Sequence, residues 1–146
     1  MRTVTRMSKT RGGECPRVAV LGTGIMGSAM ARKLIRAGLD TTVWDRTASA
    51  TASLTEAGAH AAGAPADAVA HADVVITMLP NAGAVDSVIF GETAEAFKEP
   101  AVWAQMGTIG VQATLDVAGR LARMRPACSS TRRRRAARAR PSTRSC

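Results

Sequence analysis

The sequence predicts an α/β fold built on a doubly wound parallel sheet, and three observations predict it. Short apolar or β-branched runs alternate with helical patterns at intervals of roughly 25–30 residues, the spacing of βαβ units with right-handed crossovers. A glycine-rich turn joins the first run directly to the first amphipathic helix. The length of 146 residues allows one domain with its own core and leaves no room for a second of comparable size.

Taken in order, Arg17 to Leu21 (RVAVL) is a short apolar run ending in glycines, as a buried parallel strand does. Gly24 to Ala37 turns helical, with Met26, Met30, Leu34 and Ala37 on one face and Arg32, Lys33 and Arg36 on the other. Gly38 supplies the stop. Asp40 to Asp45 (DTTVWD) reads as the second strand, and Thr47 as the N-cap of an alanine-rich helix closed by Gly58. Pro65 to Ala72 is a helix starting on proline, and Asp73 to Leu79 (DVVITML) is a third strand that Pro80 ends. Ala82 to Phe90 and Ala94 to Lys98 are helical, Val102 to Met106 is a further strand, and Val111 to Ala122 is the last helix. These assignments make residues 17–123 one domain, preceded by a flexible segment 1–16.

The net charge of +9 divides unevenly. Residues 1–116 hold ten Lys/Arg and eleven Asp/Glu, whereas residues 117–146 hold ten Arg and no acid. Basic character therefore belongs to the C-terminal end, and the segment 124–146 lacks apolar periodicity and is expected to be disordered. No run approaches the ~20 apolar residues of a membrane span, and the N-terminal charges precede no h-region. Cys15, Cys128 and Cys146 are too widely spaced for a disulfide framework or a CxxC metal site. A cytoplasmic chain without membrane or metal is the expectation.

The chemistry sits in Gly22-Thr23-Gly24-Ile25-Met26-Gly27, between a strand and an amphipathic helix, with Ala31 four residues on. In this GxGxxG setting Gly22 permits the tight turn, Gly24 lets backbone approach a pyrophosphate, and Gly27 allows close helix–strand packing. The helix N-terminus offers unpaired N–H groups and partial positive charge to the phosphates. The fold is thus expected to be Rossmann-type, and the ligand a dinucleotide. Asp45 follows Gly27 by 18 residues at the end of the second strand, placed to accept from an adenosine ribose, while Arg46 beside it suits a 2′-phosphate. The pair gives opposed signals for NAD and NADP, with Arg46 tilting the balance toward NADP. His60 and His71 lie in alanine-rich surface segments with no metal or catalytic partner near in sequence. Met26 and Met30 read as core fillers, and Trp44 and Trp103 as packing at strand ends.

VAVLGTGIMGSAMARKL (18–34), VWDRT (43–47), DVVITMLPNAGAV (73–85) and MGTIG (106–110) resemble the β-hydroxyacid dehydrogenases. That family includes 3-hydroxyisobutyrate dehydrogenase and the glyoxylate/succinic semialdehyde reductases, and its cofactor domain is like that of 6-phosphogluconate dehydrogenase. The resemblance covers residues 17 to about 123. It counts Thr47 with Asp45 and Arg46 among the cofactor-binding residues of the strand end, puts Leu79 and Pro80 beside the nicotinamide ribose, and puts Thr108 near the nicotinamide. The family's Asp-Met-Ser-Thr is here Gln105-Met106-Gly107-Thr108, which keeps only the threonine hydroxyl.

The resemblance also implies a catalytic lysine in a Gly-x-x-x-Lys-x-x-x-Asn setting, and Lys9, Lys33 and Lys98 stand in none. It implies hydride transfer with a small hydroxy acid or semialdehyde in a full-length member, a homo-oligomer, and a partner-covered face that is apolar near the nicotinamide. Reading Cys128 to Ala136 with TCN serine and CGN arginine codons, a shifted frame permits Leu-Val-Asp-Ala-Pro-Ala-Ser-Gly, close to the family's next segment, Asp-Ala-Pro-Val-Ser-Gly. A frame slip between about Leu121 and Cys128 is therefore expected in the DNA. Two other classes compete: a non-catalytic dinucleotide-binding module, and a nucleic-acid binder using the arginines. The second is disfavoured because no aromatic residues interleave them.

Overall fold

A computed structural model describes residues 15–124 of the chain. Expectations placed on residues 1–14 and 125–146, including the arginine run, Lys9, Cys128 and Cys146, lie outside these residues. Five parallel strands form one sheet: β1 (Val18–Leu21), β2 (Thr41–Trp44), β3 (His60–Ala61), β4 (Val74–Thr77) and β5 (Val102–Gln105), in the order β3-β2-β1-β4-β5. The helices are α1 (Ile25–Arg36), α2 (Ala52–Glu56), α3 (Pro65–Val69), α4 (Ala82–Ile89), α5 (Glu92–Ala96) and α6 (Val111–Met124), with a 3-10 turn over Ala48–Thr51.

All four residues of β1 are buried because the strand is central and covered on both faces. Ala19 and Leu21 face one layer with Val75, Val85, Ile89 and Val117, drawn from β4, α4 and α6. Val18 and Val20 face the other with Ala31, Val43 and Leu54, drawn from α1, β2 and α2. The alternation follows the two-residue period of a strand and makes the sheet doubly wound. Parallel order reverses between β1 and β4, so the turns leaving those strands diverge and open a crevice at their C-terminal ends.

Several elements differ from the sequence expectation. The helix predicted from Thr47 to Gly58 is split into the 3-10 turn and α2, and Thr47 occupies the N-cap without a side-chain hydrogen bond. The two-residue β3 has no hydrophobic alternation and pairs only Thr42 with His60 and Val43 with Ala61. The buried face of α1 is Gly27 and Ala31, flanked by half-buried Leu34 and Ile35, whereas Met26 is 59% exposed and is not a core filler. Small residues face the sheet because the approach is too close for large ones: a Cβ on Gly27 would lie 1.9 Å from the Gly22 carbonyl oxygen. The glycine stops are as expected, with Gly38 at φ +76° donating its N–H to the Ile35 carbonyl at 2.9 Å.

Polar contacts tie the opposite, N-terminal end of the sheet. The Asp73 carboxylate binds the Lys98 ammonium at 2.5 Å and accepts from the Arg17 N–H at 2.8 Å. The Lys98 hydrogen bond and the Arg17 N–H hold its carboxyl below the usual carboxylate range. His60 lies 3.6 Å from Asp40, a partner distant in sequence that parallel pairing of β2 and β3 brings alongside. Among the described residues, no helix is long and apolar enough to cross a membrane.

Candidate functional site

The crevice at the C-terminal ends of β1, β2, β4 and β5 is a cleft of about 820 Å³. Gly22, Gly24, Ile25, Met26 and Gly27 form its floor, Asp45 and Arg46 one end, and Leu79, Pro80 and Thr108 the other. Thr23 and Thr47, the remaining two expected residues, do not line it.

The floor follows from local backbone chemistry. Gly22 sits at φ +95°, and a Cβ there would meet the Met78 carbonyl oxygen at 2.4 Å. Gly24 is the N-cap of α1 and offers no side-chain cap, and the first turn carries no acid. The first helical bond runs from the Ser28 N–H to the Gly24 carbonyl at 2.9 Å, so the N–H groups of Ile25, Met26 and Gly27 precede the helical ladder. A Cβ on Gly24 would meet nothing within 4 Å, which leaves the backbone open to a bound group. An uncapped helix mouth with free donors and partial positive charge suits an anion such as a pyrophosphate. The Ser28 hydroxyl donates to the Thr23 carbonyl at 2.6 Å and fastens the helix to the loop.

Thr23 is buried and acts from behind. Its N–H and hydroxyl both donate to one Asp45 carboxylate oxygen, at 2.7 and 3.1 Å, and the Thr47 N–H donates to the other at 2.9 Å. Partial burial pushes the Asp45 carboxyl up, but the Thr47 and Thr23 N–H groups, the Thr23 hydroxyl and nearby Arg46 together outweigh it and hold the group below its ordinary value. Asp45 is therefore an ionised latch between the glycine loop and β2, with one lone pair left over for a ligand hydroxyl. Arg46 is exposed at the same end.

At the far end three turns meet. The Met78–Leu79 backbone lies between Gly22 and Gly107, and a Cβ on Gly107 would come within 2.6 Å of the Leu79 carbonyl oxygen. Thr108 is exposed on the cleft wall, and its hydroxyl has no hydrogen-bond partner among the described residues.

Several lining residues escaped the sequence reading. Trp44 packs half-buried, as expected, and also faces the cleft beside Asp45. Asn81 caps α4 by accepting from the Ala84 N–H at 2.9 Å, and the small residues Gly83, Ala84 and Ser87 keep that wall low. The signal was present as an Asx cap followed by small residues after Met-Leu-Pro. Gly107 lacks the family's serine hydroxyl and instead permits close backbone approach.

Residues 17–127 match the family model described as the NAD binding domain of 6-phosphogluconate dehydrogenase. The chain is 40% identical over 94 residues to the 3-sulfolactaldehyde reductase of Escherichia coli, covering 63% of this chain and 32% of that protein. It is 35% identical over 102 residues to glyoxylate/succinic semialdehyde reductase 1 of Arabidopsis thaliana, covering 68% of this chain and 35% of that protein. Among solved structures, the 3-hydroxyisobutyrate dehydrogenase of Mycobacterium tuberculosis superposes with a TM-score of 0.71 at 28% identity, over 75% of this chain and 38% of that one. The chain spans about a third of the length of the curated relatives it matches. With this sheet order, this glycine turn and a match over 17–127, the chain belongs to the family of the NAD-binding domain of 6-phosphogluconate dehydrogenase, the dinucleotide-binding part of β-hydroxyacid dehydrogenase-like oxidoreductases.

Proposed function

We propose that this chain holds NADP(H), and less tightly NAD(H), extended across the cleft between Asp45 and Thr108. The uncapped N-terminus of α1, opening into the cleft where the strand order reverses, carries this reading. The pyrophosphate rests on the N–H groups of Ile25, Met26 and Gly27, with Gly22 and Gly24 giving the backbone its approach. The adenosine ribose lies at Asp45, inside the Thr23 and Thr47 clasp, and Arg46 pairs with a 2′-phosphate. The nicotinamide ribose lies at Leu79 and Pro80, and the nicotinamide at Thr108. When bound, the coenzyme supplies hydride. The chain's own residues bind it, orient it and bury one face.

In a longer protein this half of the machinery serves hydride transfer between the nicotinamide and a small 3-hydroxy acid or semialdehyde. Within residues 15–124, Lys33 is exposed on α1, and Lys98 is paired with Asp73 at the end of the sheet away from the cleft. Titration of the purified chain with NADPH and NADH tests the reading. NADPH binds more tightly, and Arg46→Ala removes the difference while leaving NADH affinity within about twofold. Equal affinities in the parent chain overturn the NADP(H) preference, and absence of binding by either overturns the reading itself.

A further inference from the structure

The cleft wall at Thr108 is held by a hydrogen-bonded relay that runs through the sheet edge. The Trp103 indole N–H donates to the Thr77 hydroxyl oxygen at 3.1 Å, and the Thr77 hydroxyl donates to the Gln105 side-chain carbonyl. The Gln105 amide nitrogen then donates to the Gly107 backbone carbonyl at 2.9 Å. Thr77 is fully buried, while Trp103, Gln105 and Gly107 are half-buried. The relay has a direction: position 105 must accept at one end and donate at the other, which an amide does and a carboxylate does not. It ends at a crowded joint, for a Cβ on Gly107 would lie 2.6 Å from the Leu79 carbonyl oxygen and 3.2 Å from the Gln105 amide nitrogen. None of the relay's hydrogen bonds reaches the glycine loop or Asp45, and Leu79 beyond its end is the neighbour it shares with Gly22.

We infer that Gln105 is a positioning residue for the nicotinamide half of the coenzyme. It fixes the Gly107–Thr108 turn against Leu79 while leaving the adenosine and pyrophosphate half untouched. This rests on the placement proposed above: with pyrophosphate at α1 and adenosine at Asp45, only the Leu79 and Thr108 end remains for the nicotinamide. Gln105→Glu is nearly isosteric, keeps the bond from Thr77, and sets a carboxylate oxygen against the Gly107 carbonyl.

The test compares the tighter-binding reduced coenzyme with the matching nicotinamide-free ADP-ribose, with or without the 2′-phosphate, on the full 146-residue chain. Gln105→Glu is expected to weaken coenzyme binding about tenfold and to change ADP-ribose binding by less than about twofold. Thr77→Val, which keeps the shape but removes both the donor to the Gln105 carbonyl and the acceptor of the Trp103 N–H, shows the same split at smaller size and covers the case in which Gln105→Glu does not fold. Equal losses for both ligands, or no loss for either, overturn the assignment of Gln105 while the placement of the coenzyme stands. Failure of the parent chain to bind either ligand overturns both.

Discussion

Gly27 shows most directly how one residue decides the site. Its hydrogen sits where a methyl group would lie 1.9 Å from the Gly22 carbonyl oxygen and 2.9 Å from its carbonyl carbon, both backbone atoms that cannot swing aside. Gly27→Ala must therefore push α1 off the loop. The expected cost is about 1–3 kcal/mol of stability, read from the urea midpoint, together with loss of coenzyme binding. Unchanged stability and binding would mean that helix and loop are not packed this closely. Asp45 belongs to the same scale. Its pKa is lowered in the folded chain, so the stability it contributes is fully present above the ordinary value of 3.8 and is lost as pH falls through the lower folded value. The stability difference between the parent and Asp45→Ala is thus expected to be flat above about pH 5 and to shrink toward pH 3. A difference that grows on acidification contradicts the latch.

At the scale of elements, one buried side chain can hold a short helix in place. α2 has five residues, too few to be stable alone, and Leu54 is its fully buried member, packed in the layer with Val20 and Val43. Leu54→Ala should cost about 2–5 kcal/mol without changing the urea dependence per molar. A smaller cost would place α2 outside the core. α6 adds a surface contact to its buried Val117: Arg120 stacks on the Phe90 ring at 3.7 Å and pairs with Asp86 of α4, but both charged side chains are about half exposed. Removing Arg120 is expected to cost less than about 1 kcal/mol.

How legible these elements were depended on whether a local signal set them. β1 is readable because burial on two faces demands a run such as VAVL, and β2, β4 and β5 because they are short β-branched or apolar runs bounded by turn residues. β3 was not, since two exposed residues carry no period, and it exists only because β2 offers an edge. The cleft floor was legible because a phosphate-ready turn needs glycines at fixed spacing. Its far wall was less so: Thr77, Trp103 and Gln105 lie 26 and 28 residues apart by pair, and only the sheet register brings them together.

For the whole molecule, one end of the sheet is an uncapped, cleft-forming surface and the other is closed by Asp73, Lys98 and Arg17. Around the cleft, Ile25, Met26, Met106, Val111 and Leu115 are exposed, Ile25 by 92% and Val111 by 79%. Apolar side chains grouped in this way favour association, so the sedimentation coefficient of the isolated chain is expected to rise with concentration, and Val111→Lys with Leu115→Lys to suppress the rise. Persistence of the rise in that double variant would place the contact elsewhere.

The central proposition is that a glycine turn laid against an open helix mouth receives the two phosphates of a nicotinamide coenzyme. Calorimetric titration of the folded chain with NADPH measures this directly. A saturable heat with one site per chain, lost in Gly27→Ala, is the predicted result. No heat at millimolar coenzyme, from protein shown to be folded by its circular dichroism, would contradict it.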